Sequence, residues 1–436
     1  MKDDLVLRRR VVFCLLFVGA AISAWDKMIF AFSGVSIMRD FNLTHTQFGL
    51  AASAFFWLYS VAGIAVGLLA NRYSSRNILF SMTALWALSQ VATALVPSFA
   101  GLVVSRIAIG AAMGPTTAMT QHAAFKWYPV DRRMVPSGLL HVGLYAGMIS
   151  AALALPVFIS THGWRTAYLL LAVVSALWAI GWLVLGKDGD TSQRAAKLGA
   201  DPLGRPESVG KYRNLLMNRT FIGMTLIGFF SYLPGGLMLS WMPTYYQKAL
   251  GFSAPQAGVF IMLGIVAIMA MTMPFNIFSQ TLVKKGITFR VAAVLLPVSA
   301  STIGGLLLLL MSMHDWPSGL KVVTLITSGV CANVIPSFGL VVCGSIAPTH
   351  KRGALLATHV ALVTSAGFVA PLLASFFIAR AGGSIGPGIE NTLVMIGSLT
   401  IVAGLVSLWL VDPDKTRRGL DARSGSPVSA GLTNVT

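Results

Sequence analysis

Residues 187–219 read KDGDTSQRAAKLGADPLGRPESVGKYRNLLMNR, a polar stretch with Gly, Pro and Ser set between two apolar regions. Of the chain's 436 residues, 56% belong to the apolar set and only 11% are charged. Soluble domains carry about a quarter charged residues, so a soluble chain of this length would lack the polar exterior its domains need. Most of its surface must face lipid. Outward from 187–219, apolar runs of roughly 20 residues, enough to cross about 30 Å of hydrocarbon, fall at 11–38, 48–70, 77–97, 100–122, 134–160 and 164–186 on one side. On the other they fall at 220–247, 256–279, 289–313, 319–345, 353–380 and 389–411. Backbone groups left unpaired in hydrocarbon are so costly that open sheets cannot span it, and these runs are therefore helices. The expected fold is an all-α integral membrane protein of twelve transmembrane helices. Two six-helix bundles, 1–186 and 220–411, are joined by a linker at 187–219 and followed by a disordered tail at 412–436.

The formal net charge of +18 would suggest a nucleic-acid partner in a soluble protein. Its distribution says otherwise. Loops on the side of Met1, with the linker and tail, hold 25 of the basic residues, and the opposite loops hold five: Arg39, Arg165, Lys248, Lys321 and Arg380. By the positive-inside rule this bias places both termini and the linker in the cytoplasm. The charge is a topology signal, and no nucleic-acid role is expected. The basic N-terminus leads into an apolar run too long for a cleaved signal, so it is read as the first membrane helix. Cys14, Cys331 and Cys343 lie within spans without CxxC spacing, which supports neither a disulfide framework nor a zinc site. No Walker loop, HExxH or Ser-His-Asp arrangement stands in a credible context, so no cofactor, ATP hydrolysis or covalent catalysis is implied.

The two halves share an ordered series of matches, as in transporters built from internal repeats. FNLTHTQFGL after the first span parallels LGFSAPQAGV after the seventh, and Gln47, Gly49 and Asn71 lie 209 positions before Gln256, Gly258 and Gln280. HVGL at 141–144 parallels HVAL at 359–362 at an offset of 218. The bundles are thus expected to be pseudo-symmetric.

An ionisable group at the centre of a membrane helix costs about 2.5–3.5 kcal/mol on insertion scales and is a functional candidate by default. Only Asp26, Lys27 and Arg106 lie well inside spans. They are expected to face a wet cavity and neutralise one another. Adjacent helical residues diverge by roughly 100°, so Asp26 is expected to meet Arg106 across the first and fourth helices. Asp26 is either a proton-coupling carboxylate or a static counter-ion. Arg106 either grips a substrate carboxylate with its fork or ties helix carbonyls. The cations leave +1 with Asp26 ionised and +2 with it protonated, which suits a small carboxylate. The spacings Gly110 to Gly114 and Gly143 to Gly147 are expected to allow close helix contact within a half. Pro234-Gly235-Gly236 and Pro336, the latter flanked by Asn333 and Ser337, are possible flex points.

GLLANRYSSR at 67–76 resembles the cytoplasmic signature of the major facilitator superfamily, G-x-L-A-D-R-x-G-R-R/K, and HGWRTAY at 162–168 resembles its G-W-R entry to the sixth helix. AWDKMIF, SRIAIGAAMGP and LSWMPTYYQKALGFS are similar to motifs of its anion:cation symporter family. The resemblance implies that helices 1, 4, 7 and 10 line a central cavity. It implies that Tyr59 touches substrate, and that His141, His359 and Asn333 could join it; for the His and Tyr residues ordinary packing is the competing reading. It makes Gly67, Asn71, Arg72, Arg76 and Gln280 a cytoplasmic gating motif at the seam between halves. Its usual acids are replaced by Asn71 and Gln280, so a latch there would rest on amide hydrogen bonds. The proton-binding acid of the fourth helix is Met113 here.

The combined expectation is a multi-pass inner-membrane protein, monomeric, importing a small organic anion with protons by alternating access. Sugar acids and aromatic acids are both admitted, with a lean toward aromatic or apolar acids. An anion exchanger or facilitator, a metabolite or drug exporter, and a non-transporting membrane receptor or enzyme are the alternatives.

Overall fold

The structure, a computed structural model, describes residues 2–69, 73–128, 134–189, 209–313, 315–347 and 352–416. Twelve helices among them are long and apolar enough to cross a membrane. They are α1 Val6–Asp40, α2 His45–Gly67, α3 Ser75–Leu95, α4 Phe99–Phe125, α5 Val135–His162, α6 Trp164–Leu185, α7 Arg219–Met238, α8 Ala254–Lys284, α9 Val291–Met313, α10 Ser318–Ser345, α11 Ala354–Arg380 and α12 Ile385–Leu410. A short helix, Met242–Lys248, follows α7. Most of the proposed linker and tail lies outside the described residues, as do Asn71 and Arg72. Successive crossings alternate in direction, so odd helices end, and even helices begin, at the end of the bundle distal to the N-terminus.

Several spans are broken near their middles, and the sequence says why. Proline lacks an N–H and its ring clashes with the carbonyl four residues earlier. Accordingly α4 pauses at Gly114–Pro115 and α10 at Val334, just before Pro336. The Gly spacings bring helices into contact inside the first bundle: Gly110 and Gly114 of α4 lie against the Phe55 and Tyr59 carbonyls of α2, and Gly143 and Gly147 of α5 against the Phe17 and Ala21 carbonyls of α1.

The sequence repeat has a structural meaning. Gln47 and Gln256 are both third residues of capping boxes, in which Thr44 and Ser253 each accept from the Gln backbone while the Gln side chain accepts from the cap backbone. Replacing such a cap by Ala costs about 1 kcal/mol, so Ser253→Ala should lower unfolding stability by that amount without altering transport selectivity. Arg76 and Arg290 also act alike. Arg76 at the start of α3 donates to the Leu183 carbonyl ending α6, and Arg290 beside α9 donates to Leu408 and Val411 carbonyls ending α12, at 3.0 and 3.1 Å. Cations at helix C-termini complement the helix dipole. The resemblance puts Arg76 at the seam between halves; its bond lies instead within the first bundle.

The two bundles meet most closely at the distal end. A Cβ on Gly49 of α2 would lie 2.8 Å from the Pro371 carbonyl oxygen of α11, and one on Gly258 of α8 would lie 2.9 Å from Pro156 Cγ of α5. These two repeat-related glycines thus serve two repeat-related contacts. Midway along, Ser60 and Thr364 hydroxyls are 3.2 Å apart. Nearer the N-terminal end, Gly67 and Gly138 have no neighbours around their Cβ positions, and Gln280 is exposed. Among the described residues the closest contacts between the bundles lie at the distal end.

Candidate functional site

Asp26 and Arg106 are both buried, at 1% and 3% exposure, yet no ion pair joins them. The expected pairing across α1 and α4 is not formed. Instead Gln90 of α3 donates its amide N–H to Asp26 Oδ1. Asp26 Oδ2 and Gln90 Oε1 are both buried and lack partners. Two lone-pair acceptors are left over, and a single proton on the carboxyl would satisfy both: a carboxylic acid and a primary amide then form a closed, two-bond ring.

Arg106 is held by aromatics. Its guanidinium carbon lies 4.1 Å from the centroid of Phe30 and 4.9 Å from that of Phe55. Nε and Nη1 are buried without hydrogen-bond partners. Tyr168 of α6 is within electrostatic range of both Arg106 and Asp26. Arg106 therefore does not tie helix carbonyls through these atoms; it is a desolvated cation with donors to spare. Lys27 is half-buried and makes no ion pair among the described residues. It lies four residues after Ser23 and seven after Ala20, hence on the same helical face. That face borders a narrow cleft lined also by Thr116, Thr120, Leu140 and His141.

The other predicted residues separate into two groups. Tyr59 packs 5.4 Å from the Phe55 ring, centroid to centroid, and within electrostatic range of Tyr232 of α7, joining the Arg106 environment to the second bundle. His141 is exposed, bonded to the Ser137 carbonyl at 2.9 Å, and borders the cleft. Asn333 lines a cavity of about 230 Å³ between α7, α8 and α10. His359 lines neither of these two cavities. It is 2% exposed, with Nδ1 bonded to Thr225 at 3.0 Å and 3.7 Å from Cys343 Sγ, and Gly339 lies against its ring, so it is packed among α7, α10 and α11. Gly67 and Gln280 lie toward the proximal end without a bond to each other.

Above Arg106 the distal end is sealed by rings. Phe30 stacks on Phe48 at 5.2 Å, Phe48 meets Trp241 of the second bundle edge-on at 4.8 Å, and Trp241 donates to the Pro371 carbonyl at 3.2 Å. Sequence reasoning missed Gln90, although a lone amide in the apolar run ALSQVAT is its signal. It missed Glu390, which accepts from Lys321 at 2.6 Å and Tyr245 at 3.0 Å and ties the distal ends of α10 and α12 to the short helix. The G-W-R motif clamps the end of α1, where Trp164 and Arg165 both donate to Asp40, at 2.9 and 2.6 Å.

Residues 16–318, most of the chain, match the family model of the Major Facilitator Superfamily. The chain belongs to the major facilitator superfamily. It is accordingly a membrane transporter and not an enzyme. Among curated relatives it is 26% identical over 447 aligned positions, 98% of each chain, to a protein of Cupriavidus necator named "Probable sulfoacetate transporter". It is 23% identical to the hexuronate transporter of Bacillus subtilis, over 92% of this chain and 94% of that one. Solved structures share the fold. A bacterial homologue of the lysosomal transporter Spinster, inward-facing and occupied, superposes with a TM-score of 0.77 at 15% identity, covering 94% of this transporter and 98% of that chain. A D-xylose–proton symporter gives 0.70 at 17% identity, over 93% and 98%.

Proposed function

We propose that this transporter imports a small organic anion together with a proton across the inner membrane, as a monomer with both termini cytoplasmic. The observation that carries the reading is Arg106: a buried guanidinium held between two rings, with no acid paired to it and two unused donor nitrogens. Such a group calls for a carboxylate or sulfonate, which a planar fork binds in bidentate fashion. Lys27 adds a second unpaired cation. The similarity to proteins named for sulfoacetate and hexuronate, both anions, supports the same class.

The proton belongs at Asp26. Protonation closes the acid–amide ring with Gln90 and leaves the cations to the incoming anion. Loss of the proton leaves two buried acceptors without partners and restores a negative charge near Lys27. With cytoplasmic termini the ring-sealed distal end faces outward, so the site is shut to the outside. In proteoliposomes, Asp26→Asn should keep both bonds to Gln90, since an amide donates and accepts as the protonated acid does. Counterflow should persist while pH-driven accumulation disappears; accumulation at the wild-type level would remove Asp26 from the coupling.

One observation favours a second reading, anion exchange. Met113 stands fully buried where the resemblance places a proton-binding acid. Wild-type protein that shows counterflow and no gradient-driven accumulation would select the exchanger.

A further inference from the structure

A proton on Asp26 can drive anion movement only if its presence is felt at Arg106, and among the described residues no ion pair joins the two. A third side chain reaches both. Tyr168 of α6 is fully buried, within electrostatic range of Asp26 and close enough to Arg106 for a hydrogen bond to form, yet its hydroxyl has no partner in the present geometry. Its placement is built locally. Tyr168 follows Trp164 by four residues and shares its helix face, and the two rings meet edge-on at 5.9 Å. Trp164 is fixed in turn by its bond to Asp40 at the end of α1. The helix packs against both α1 and α3, which carry Asp26 and its partner Gln90.

A buried hydroxyl without a partner costs free energy, and packing does not call for it, since Phe would fill the same space. The phenol has a single hydrogen to donate. Two acceptors compete for it: the Asp26 carboxylate once its proton is gone, and an anion seated on Arg106. With Asp26 protonated, the acid's own hydrogen goes to Gln90 Oε1 and its claim on Tyr168 lapses.

We propose that Tyr168 couples the two sites: its one hydroxyl hydrogen bonds either the ionised Asp26 or the anion on Arg106, and it cannot serve both. The proposal rests on the reading of anion and proton carried together, and it supplies the link between them. The phenol keeps its proton throughout; only its acceptor changes. An anion that draws the hydroxyl from Asp26 leaves that carboxylate short of a donor, so it takes a proton from water. By linkage, protonation of Asp26 raises anion affinity by the same factor. Lys27, the other charged group acting on Asp26, attracts both anions and does not choose between them.

Tyr168→Phe tests this, because it keeps the ring contact with Trp164 and removes only the hydroxyl. The purified, lipid-reconstituted wild type and variant are titrated with sulfoacetate, glucuronate and benzoate in weakly buffered solution across a pH series, with heat and proton uptake recorded together. Wild type should take up about one proton per anion at the peak of the series, with affinity rising toward acid pH. In the variant, affinity at acid pH should fall at least about tenfold, the loss of one hydrogen bond to a charged group. Peak proton uptake should drop to less than about half, and the pH dependence of affinity should flatten in step. The melting temperature should stay at or above that of wild type, because the hydroxyl removed has no partner. Tyr168→Met, which fills similar space without a hydroxyl, replaces the Phe variant if that one does not fold. Undiminished proton uptake in the variant would overturn the role of Tyr168 and leave the proton reading standing; if the variant also melts lower, the hydroxyl is a structural tie. Wild-type binding without proton uptake would refute the proton reading, and binding of none of the three acids the anion reading; either result would take this coupling with it.

Discussion

Arg106→Met should produce a transporter that is more thermally stable than wild type and inactive. Removing a charge that contacts a buried counter-charge costs about 2–5 kcal/mol of binding, roughly 30-fold to several thousand-fold at 1.4 kcal/mol per decade. Substrate affinity should fall by that much and uptake with it. The stability change has the opposite sign. In the empty site the guanidinium is desolvated, Nε and Nη1 have no partners, and the ring contacts with Phe30 and Phe55 offset only part of that cost. An apolar side chain of similar length removes the penalty and keeps the contacts. Arg106→Lys should not rescue transport, because an ammonium lacks both the fork and the flat face that stacks between rings. The decisive measurements are the melting temperature and equilibrium binding of the same preparation. A variant that melts lower and still binds would mean that Arg106 is a structural tie.

The fold was legible because its determinants are local. Twelve apolar runs, one polar interruption and a charge bias are properties of the chain that no tertiary contact can reverse, since hydrocarbon admits few alternatives to a helix. The repeat was legible for the same reason: Gln47 and Gln256 match because each caps the helix it begins, a requirement met within four residues. The site was legible as residue types and not as partners. Asp26, Lys27 and Arg106 stand out by cost alone, yet which face of α3 or α6 meets Asp26 depends on helix rotation, and the sequence carries no measure of that. Hence Gln90, and not Arg106, is the neighbour. His359 shows the converse. Its polarity marks it as a binding candidate, while Thr225 and Cys343 on neighbouring helices contact its Nδ1 in place. Arg76 bonds a helix end in its own bundle, a local electrostatic role that the resemblance to a gating motif does not suggest. Lys321 reads as a loop charge because it begins α10, and its bond to Glu390 becomes visible only when α10 and α12 are packed.

Gly49→Leu should trap the transporter with its distal end open and so abolish turnover. Gly49 is buried between bundles, with the Pro371 carbonyl and Ser375 of α11 where its side chain would be. Overpacking of this kind costs about 1–3 kcal/mol, and here the backbone of α11 cannot rotate aside as a flexible side chain could. The cost is incurred only while α2 and α11 are in contact, that is, in the distally closed state. At about 1.4 kcal/mol per factor of ten, closure becomes up to roughly a hundredfold rarer and the ring seal of Phe48 on Trp241 opens with it. Thr244, fully buried beside Gly34 at the sealed end, reports this. As Thr244→Cys in a chain whose native Cys14, Cys331 and Cys343 have been replaced, it should be protected from a membrane-impermeant thiol reagent with Gly49 present and labelled with Leu there. Gly110→Leu is the counterpart. Gly110 abuts the Phe55 carbonyl within the first bundle, a contact needed in every state of the cycle, so that substitution should lower the melting temperature. Gly49→Leu should leave each bundle intact and melt close to wild type. If Gly49→Leu unfolds the protein as Gly110→Leu does, the α2–α11 contact is a permanent element of the fold and not one the transporter breaks to open.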